Sequence, residues 1–212
     1  MADTVITRPQ STFTGGAFAY FFRSLAVGIV TAISFGLLAP AMSCWLERWV
    51  ASHTFINGRQ RVFDGKGIEL FGKYIVWLLL SIVTFGIFLI WLPVKMKKWM
   101  VKHTHFVDGI ATEESSYFDG SVLGYFGRSL LVGLVAGITF GLGSFWGICY
   151  LNRWIESHTV IDGDRMSFDG TGLQLFGKYL VWMLLTIVTF GIFSFWLPVK
   201  EMKWMVSHIN IA

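Results

Sequence analysis

The chain has 212 residues, 54% hydrophobic and 14% charged, with a net charge of +4 and a mean hydropathy of +0.61. This is far more apolar and less charged than an ordinary soluble globular protein. The basic residues sit at the ends of apolar stretches and not in an aromatic-laced patch, which argues against nucleic acid as a partner. In chain order, residues 1–12 form an N-terminal tail. "MADTVITRPQSTFTGG" lacks the basic start, short apolar core and small-residue cleavage site of a removed signal, so it is expected to be retained. Four stretches without Asp, Glu, Lys, Arg or His follow, at Ser24–Leu46, Tyr74–Val94, Ser129–Asn152 and Tyr179–Val199. Each is long enough to cross a hydrocarbon core of about 30 Å as a helix. The expected fold is therefore an all-α integral membrane protein, because four buried core helices in water would need a polar shell that the composition does not supply.

Sliding the chain by 105 residues aligns its halves without a gap: Arg23-Ser24-Leu25 meets Arg128-Ser129-Leu130, and "WLPVK" recurs at 91 and 196. A shift of 50 residues splits each half again, so that Lys73 meets Arg23 and Phe85-Gly86 meets Phe35-Gly36. The chain is thus four copies of a unit of about 50 residues, arranged as a first membrane half (13–109), a linker (110–117) and a second half (118–212). Each unit reads F-D-G, a basic residue, an apolar span broken by F-G, a Trp, then H-T and D/N-G. "HTFINGRQRVFDG" and "HTVIDGDRMSFDG" carry Asn-Gly or Asp-Gly between short β-prone runs, so small β-turn caps are expected between the spans.

The stretch "FDGKGIELFGKYIVWLLLSIVTFGIFLIWLPVKMKKWMVKHTHFVDG" resembles the repeated core of the YjgN-like bacterial inner-membrane proteins, at Phe63 to Gly109 and again at Phe168 to His208. The units near 13–58 and 118–163 depart from it: Thr14 replaces the Asp and the ELFG stretch is absent. The resemblance implies a bacterial cell (inner) membrane location and supplies no catalytic residues.

Two topologies compete. In the favoured one each charge-free stretch is a single crossing, with the cluster Lys95, Lys97, Lys98 and Lys102 marking a cytoplasmic end and both termini cytoplasmic. In the other, F-G is the tip of a helical hairpin and every linker lies on one side. Lys95 is only nine residues beyond Gly86, so such a hairpin would dip into one leaflet.

Candidate functional residues fall into equivalent sets. His53, His103, His158 and His208 follow the helix ends, where they would cap carbonyls or, gathered together, bind a metal. Arg23, Lys73, Arg128 and Lys178 stand at the span entrances, suited to lipid headgroups or to an anion. Asp64, Asp119 and Asp169, each before Gly, are expected to cap the next helix and shape a turn. The helix breaks lie at Ser34 and Gly36, Thr84 and Gly86, Thr139 and Gly141, and Thr189 and Gly191. Cys44 and Cys149 read as buried apolar side chains.

No HExxH, GxSxG or P-loop occurs, and no metal or cofactor site has the usual spacing. No catalytic residue is predicted, and the chain does not read as an enzyme. The expected function is a structural or regulatory membrane scaffold whose partners are membrane lipids and further copies of itself or another membrane protein. The alternative is a passive pore formed by an oligomer, with Ser34, Thr84, Thr139 and Thr189 facing one lumen.

Overall fold

The computed structural model describes residues 9–109 and 115–212; most of the N-terminal tail and of the linker 110–117 lies outside them. The described residues form eight α-helices and eight short strands. In order these are β1 (Thr12–Phe13), α1 (Ala17–Ile33), α2 (Ala39–Ser52), β2 (Thr54–Ile56), β3 (Arg59–Phe63), α3 (Gly67–Val83), α4 (Leu92–Lys102) and β4 (Thr104–Phe106). The second half repeats the series as β5 (Tyr117–Phe118), α5 (Val122–Ile138), α6 (Ser144–Ser157), β6 (Thr159–Ile161), β7 (Asp164–Phe168), α7 (Gly172–Val188), α8 (Leu197–Ser207) and β8 (Ile209–Ile211).

The strands decide the topology. β1 precedes α1 and β2 follows α2, yet Phe13 pairs with Thr54 in antiparallel register. Likewise Phe63 pairs with Thr104, Phe118 with Thr159 and Phe168 with Ile209. Each pair of helices must therefore leave the sheet and return to it, so α1/α2, α3/α4, α5/α6 and α7/α8 are four helical hairpins with F-G at their tips. Each half is a four-stranded antiparallel meander, β1-β2-β3-β4 or β5-β6-β7-β8, with a helical hairpin inserted at each outer connection.

This corrects the expected all-α integral membrane fold and its single-crossing topology: the fold is α+β. Among the described residues no helix is long and apolar enough to cross a membrane. The longest helices have 17 residues, about 26 Å of rise, and each is interrupted by a charged residue at Arg23, Lys73, Arg128 or Lys178. The apolar stretch that resembled one span is the two arms of a hairpin.

The F-x-G motif closes each hairpin at its base. A Cβ on Gly15, Gly65, Gly120 or Gly170 would stand 2.4–2.5 Å from the ring of the Phe two residues earlier and 2.8–3.0 Å from a Trp ring. Glycine is required because Phe folds back over it to pack edge-on against the Trp of the returning helix, as Phe63 does on Trp99 at 5.9 Å. The residue after the Phe then donates its N–H to the His carbonyl at the end of that helix: Thr14 to His53, Asp64 to His103, Asp119 to His158, Asp169 to His208.

The halves close on each other through their sheets. Ile56, Phe106, Ile161 and Met166 form a shared buried cluster with Ile209 and Ile211 against it. Arg59 and Asp164, equivalent positions 105 residues apart, form an ion pair, and equivalent residues can meet only beside the pseudo-twofold axis. Each Asn-Gly or Asp-Gly turn grips the far half: Asn57 accepts from the N–H of Ile211 (2.8 Å), and Asp162 from that of Phe106 (2.7 Å). The result is a cap of strands with four hairpins in a ring beneath it: α2 packs on α3, α6 on α7 and α8 on α1, while Val94 and Val101 of α4 meet Phe118, Val122 and Tyr125 of the third unit, and every tip lies at the end remote from the sheets.

Candidate functional site

At each tip the helix ends in a Ser or Thr, followed by Phe and Gly. Phe35, Phe85, Phe140 and Phe190 have φ of 49–51° and the glycines after them 84–90°. Two consecutive left-handed residues reverse the chain. Glycine adopts this freely, whereas an aromatic residue costs about 1–2 kcal/mol there. That strain is accepted four times over.

The N–H groups of the tip nonetheless all find acceptors. In the second hairpin the N–H groups of Phe85, Gly86 and Ile87 bond to the carbonyls of Ile82, Ser81 and Thr84. The N–H of Phe88 donates to the Thr84 hydroxyl (3.0 Å), which itself donates to the Leu80 carbonyl (2.7 Å). The other three tips repeat the scheme through Ser34, Thr139 and Thr189, with Leu38, Gly143 and Phe193 as the N–H donors to those hydroxyls. The hydroxyls expected to face a lumen are spent inside their own turns.

The side chains do the opposite. Phe35, Phe85, Phe140 and Phe190 are 95–97% exposed, and Ile33, Val83, Ile138 and Val188 beside them 73–79%. Exposed Leu, Val and Ile continue up the hairpins, far beyond the few hundred Å² of contiguous apolar surface that a protein in water carries. A surface whose N–H donors are paired within the turn and whose side chains avoid water suits a hydrocarbon medium.

The charge-free zone ends at one level, although exposed Phe18, Ile68, Leu123 and Leu173 carry apolar surface five residues nearer the sheets. Arg23, Lys73, Arg128 and Lys178 each stand 12 residues before the tip Phe, about 18 Å along the helix. On the returning arms Lys95 and Lys200 mark a similar level, nine residues after the tip Gly. The four cations of the first set differ in setting. Arg23 lies over the rings of Trp45 and Trp49, and Arg128 over that of Trp154, whereas Lys73 and Lys178 are exposed.

The four histidines each bond their own helix. Nδ1 of His53, His103, His158 and His208 lies 2.8 Å from the carbonyl oxygen of the Trp four residues earlier, and each imidazole stacks on that Trp at 4.4–4.5 Å. Among the described residues no group of three or more His, Cys, Asp or Glu is placed to hold a metal ion. The aspartates do not cap helices: the side-chain caps are Ser121 and Thr171, the latter in a capping box with Gln174. Instead Asp119 accepts from Arg165 (2.9 Å) and Asp169 from Asn210 (3.2 Å), while Asp64 approaches His105 at 3.9 Å. Cys44 and Cys149 are buried free thiols.

Two polar centres escaped the sequence reading. In the cap, the Asp162 carboxylate accepts from Ser115 (3.0 Å) and the Phe106 N–H (2.7 Å), and His105 Nδ1 lies 2.9 Å away. Burial pushes its pKa up, but these hydrogen bonds outweigh burial and hold it below the usual carboxylate range. Inside the ring of hairpins a cavity of about 350 Å³ is lined by Tyr20, Cys44, Glu47, Met96, Trp99 and Met202. Burial raises the Glu47 pKa against the pull of Arg61, 3.5 Å away, and Lys97. Neither centre has a sequence signature, because each joins residues from different units. The tip phenylalanines did have one, a bulky residue repeated four times between Ser/Thr and Gly.

Two family models match parts of the chain. Residues 62–162 resemble a family of unknown function, DUF6693, and this stretch contains the second and third hairpins. Residues 164–212, the last hairpin with its flanking strands, resemble a bacterial protein family of unknown function, DUF898, the YjgN-like family. The second match falls on one of the two stretches that carried the resemblance in the sequence. No curated protein and no solved structure matches the chain.

Proposed function

We propose that this protein is a scaffold of the bacterial cell membrane that keeps its strand cap in water and sinks four hairpin tips into a single leaflet. The observation that carries the reading is the tip itself, a turn whose N–H groups all find acceptors within the hairpin and which presents a Phe that is 95–97% exposed, built four times. The depth agrees. About 18 Å separates the tip Phe from the cations, close to half of a hydrocarbon core of about 30 Å. Hairpins leave all described Lys and Arg on the cap side of the apolar zone, which the positive-inside preference assigns to the cytoplasmic face. Eight helices of about 10 Å diameter inserted in one leaflet enlarge it relative to the other, so ordering or bending lipid is the direct mechanical consequence.

The test is depth measurement by electron paramagnetic resonance. A nitroxide on Phe85→Cys or Phe190→Cys in vesicles is expected to be reached by oxygen and shielded from a water-soluble nickel chelate. One on Asp108→Cys in the cap should behave in the reverse way. Tip labels open to the nickel chelate in the presence of vesicles would overturn the reading.

A further inference from the structure

The 50-residue repeat places three positions of every hairpin at the level where the charge-free zone ends: one on the outgoing helix and two, a turn apart, on the returning one. In the second hairpin these are Lys73, Lys95 and Lys98, and in the fourth Lys178, Lys200 and Lys203. All six are exposed, and Lys95 also lies over the ring of Phe88 at 5.7 Å. In the first hairpin the same positions hold Arg23, Trp45 and Arg48, and in the third Arg128, Tyr150 and Arg153.

These arginines are engaged internally. Arg23 lies over Trp45 and Trp49, and Arg48 donates to the Gly65 carbonyl (3.0 Å). Arg128 donates to the Gly124 carbonyl (3.0 Å) and lies over Trp154, while Arg153 donates to the Gly170 carbonyl (3.1 Å). The nearby acids are also engaged: Glu69 with Lys66 and His103, Glu156 with Lys97, and Glu201 with Tyr179. So the same positions alternate between arginines held in internal contacts and exposed lysines, Lys95 also meeting the Phe88 ring of its own hairpin.

From this alternation we infer that the two lysine triads are headgroup sites for anionic phospholipid, one on each even-numbered hairpin. The inference rests on the single-leaflet insertion proposed above, which sets the triads at headgroup depth. The fold supplies what the sequence order hides. Hairpins two and four are related by the pseudo-twofold axis beside Arg59 and Asp164 and stand on opposite sides of the ring. The protein thus meets anionic lipid at two opposite edges, with the arginine–aromatic hairpins between them. A lysine presents a compact charge with three rotatable donors and suits a phosphodiester that arrives in any orientation. An arginine is better used in fixed internal contacts.

Co-sedimentation of the full chain with phosphatidylcholine vesicles, with or without added phosphatidylglycerol, tests this at low and high salt. The expected result is tighter binding to the anionic vesicles, weakened by salt because the triads are exposed. Lys73→Gln/Lys95→Gln/Lys98→Gln and Lys178→Gln/Lys200→Gln/Lys203→Gln should each lose affinity for anionic vesicles. About fivefold per lysine gives on the order of a hundredfold per triad. Helicity by circular dichroism and binding to neutral vesicles should stay unchanged. Equal binding of the native chain to both vesicle types, or triad variants that keep the preference, would overturn the lipid assignment and leave the hairpin insertion standing. A native chain that binds neither type would overturn both.

Discussion

At the scale of the residue, the repeated motifs resolve into contacts with separate purposes. The Gly of F-x-G is present because the preceding Phe lies where its Cβ would be, and the Phe lies there because the Trp of the returning arm lies behind it. Gly65→Ala or Gly170→Ala must displace a packed ring, so either change is expected to destabilise the fold by about 1–3 kcal/mol, read as a lowered melting temperature. Gly72→Ala serves as the control, since nothing lies within 4 Å of its added Cβ. The histidines after the Trp were legible as helix caps, because a cap requires only a position relative to its own helix. The aspartates were not: whether Asp119 caps a helix or takes Arg165 depends on a strand 46 residues away.

At the scale of the element, the hairpin tip combines a strained backbone with N–H groups that all find acceptors inside the turn. Thr84 connects the two arms, donating to Leu80 and accepting from Phe88. Thr84→Val removes both bonds and leaves the Phe88 N–H without an acceptor in an apolar setting, which costs about 1–3 kcal/mol. Hydrogen exchange at Phe88 should accelerate in Thr84→Val and remain near the native rate in Thr84→Ser. Replacing Phe35, Phe85, Phe140 and Phe190 together by Asp should abolish vesicle association and leave the far-ultraviolet circular dichroism unchanged, since these rings are almost wholly exposed. The break itself was plain in the sequence, repeated four times as Ser/Thr-Phe-Gly. Its meaning was not, because a kink in one long helix and a reversal between two short ones use the same residues.

At the scale of the whole molecule, the halves are held by contacts that no single unit contains. The Asp162 carboxyl is depressed, so it contributes stability above the ordinary carboxylate range and loses that contribution as pH falls through about 4 and below. Asp162→Asn should lower stability at neutral pH and flatten this acid limb, as followed by thermal unfolding across a pH series. The equivalent junction uses neutral Asn57 and should add nothing to the pH dependence, so Asn57→Ala would lower stability equally at all pH values.

The sequence by itself determined the four-fold repeat, the apolar stretches, the glycines at the breaks and the cations at their edges. These are properties of composition and spacing that one unit expresses alone. Only the tertiary structure decided that the stretches are hairpins and not crossings, that the fold is α+β, and that the lysine triads oppose each other. The physical reason is the strand. Two or three residues such as Thr12–Phe13 have too few positions to show an alternating pattern, yet their pairing with Phe55 and Thr54 fixes where every helix must return.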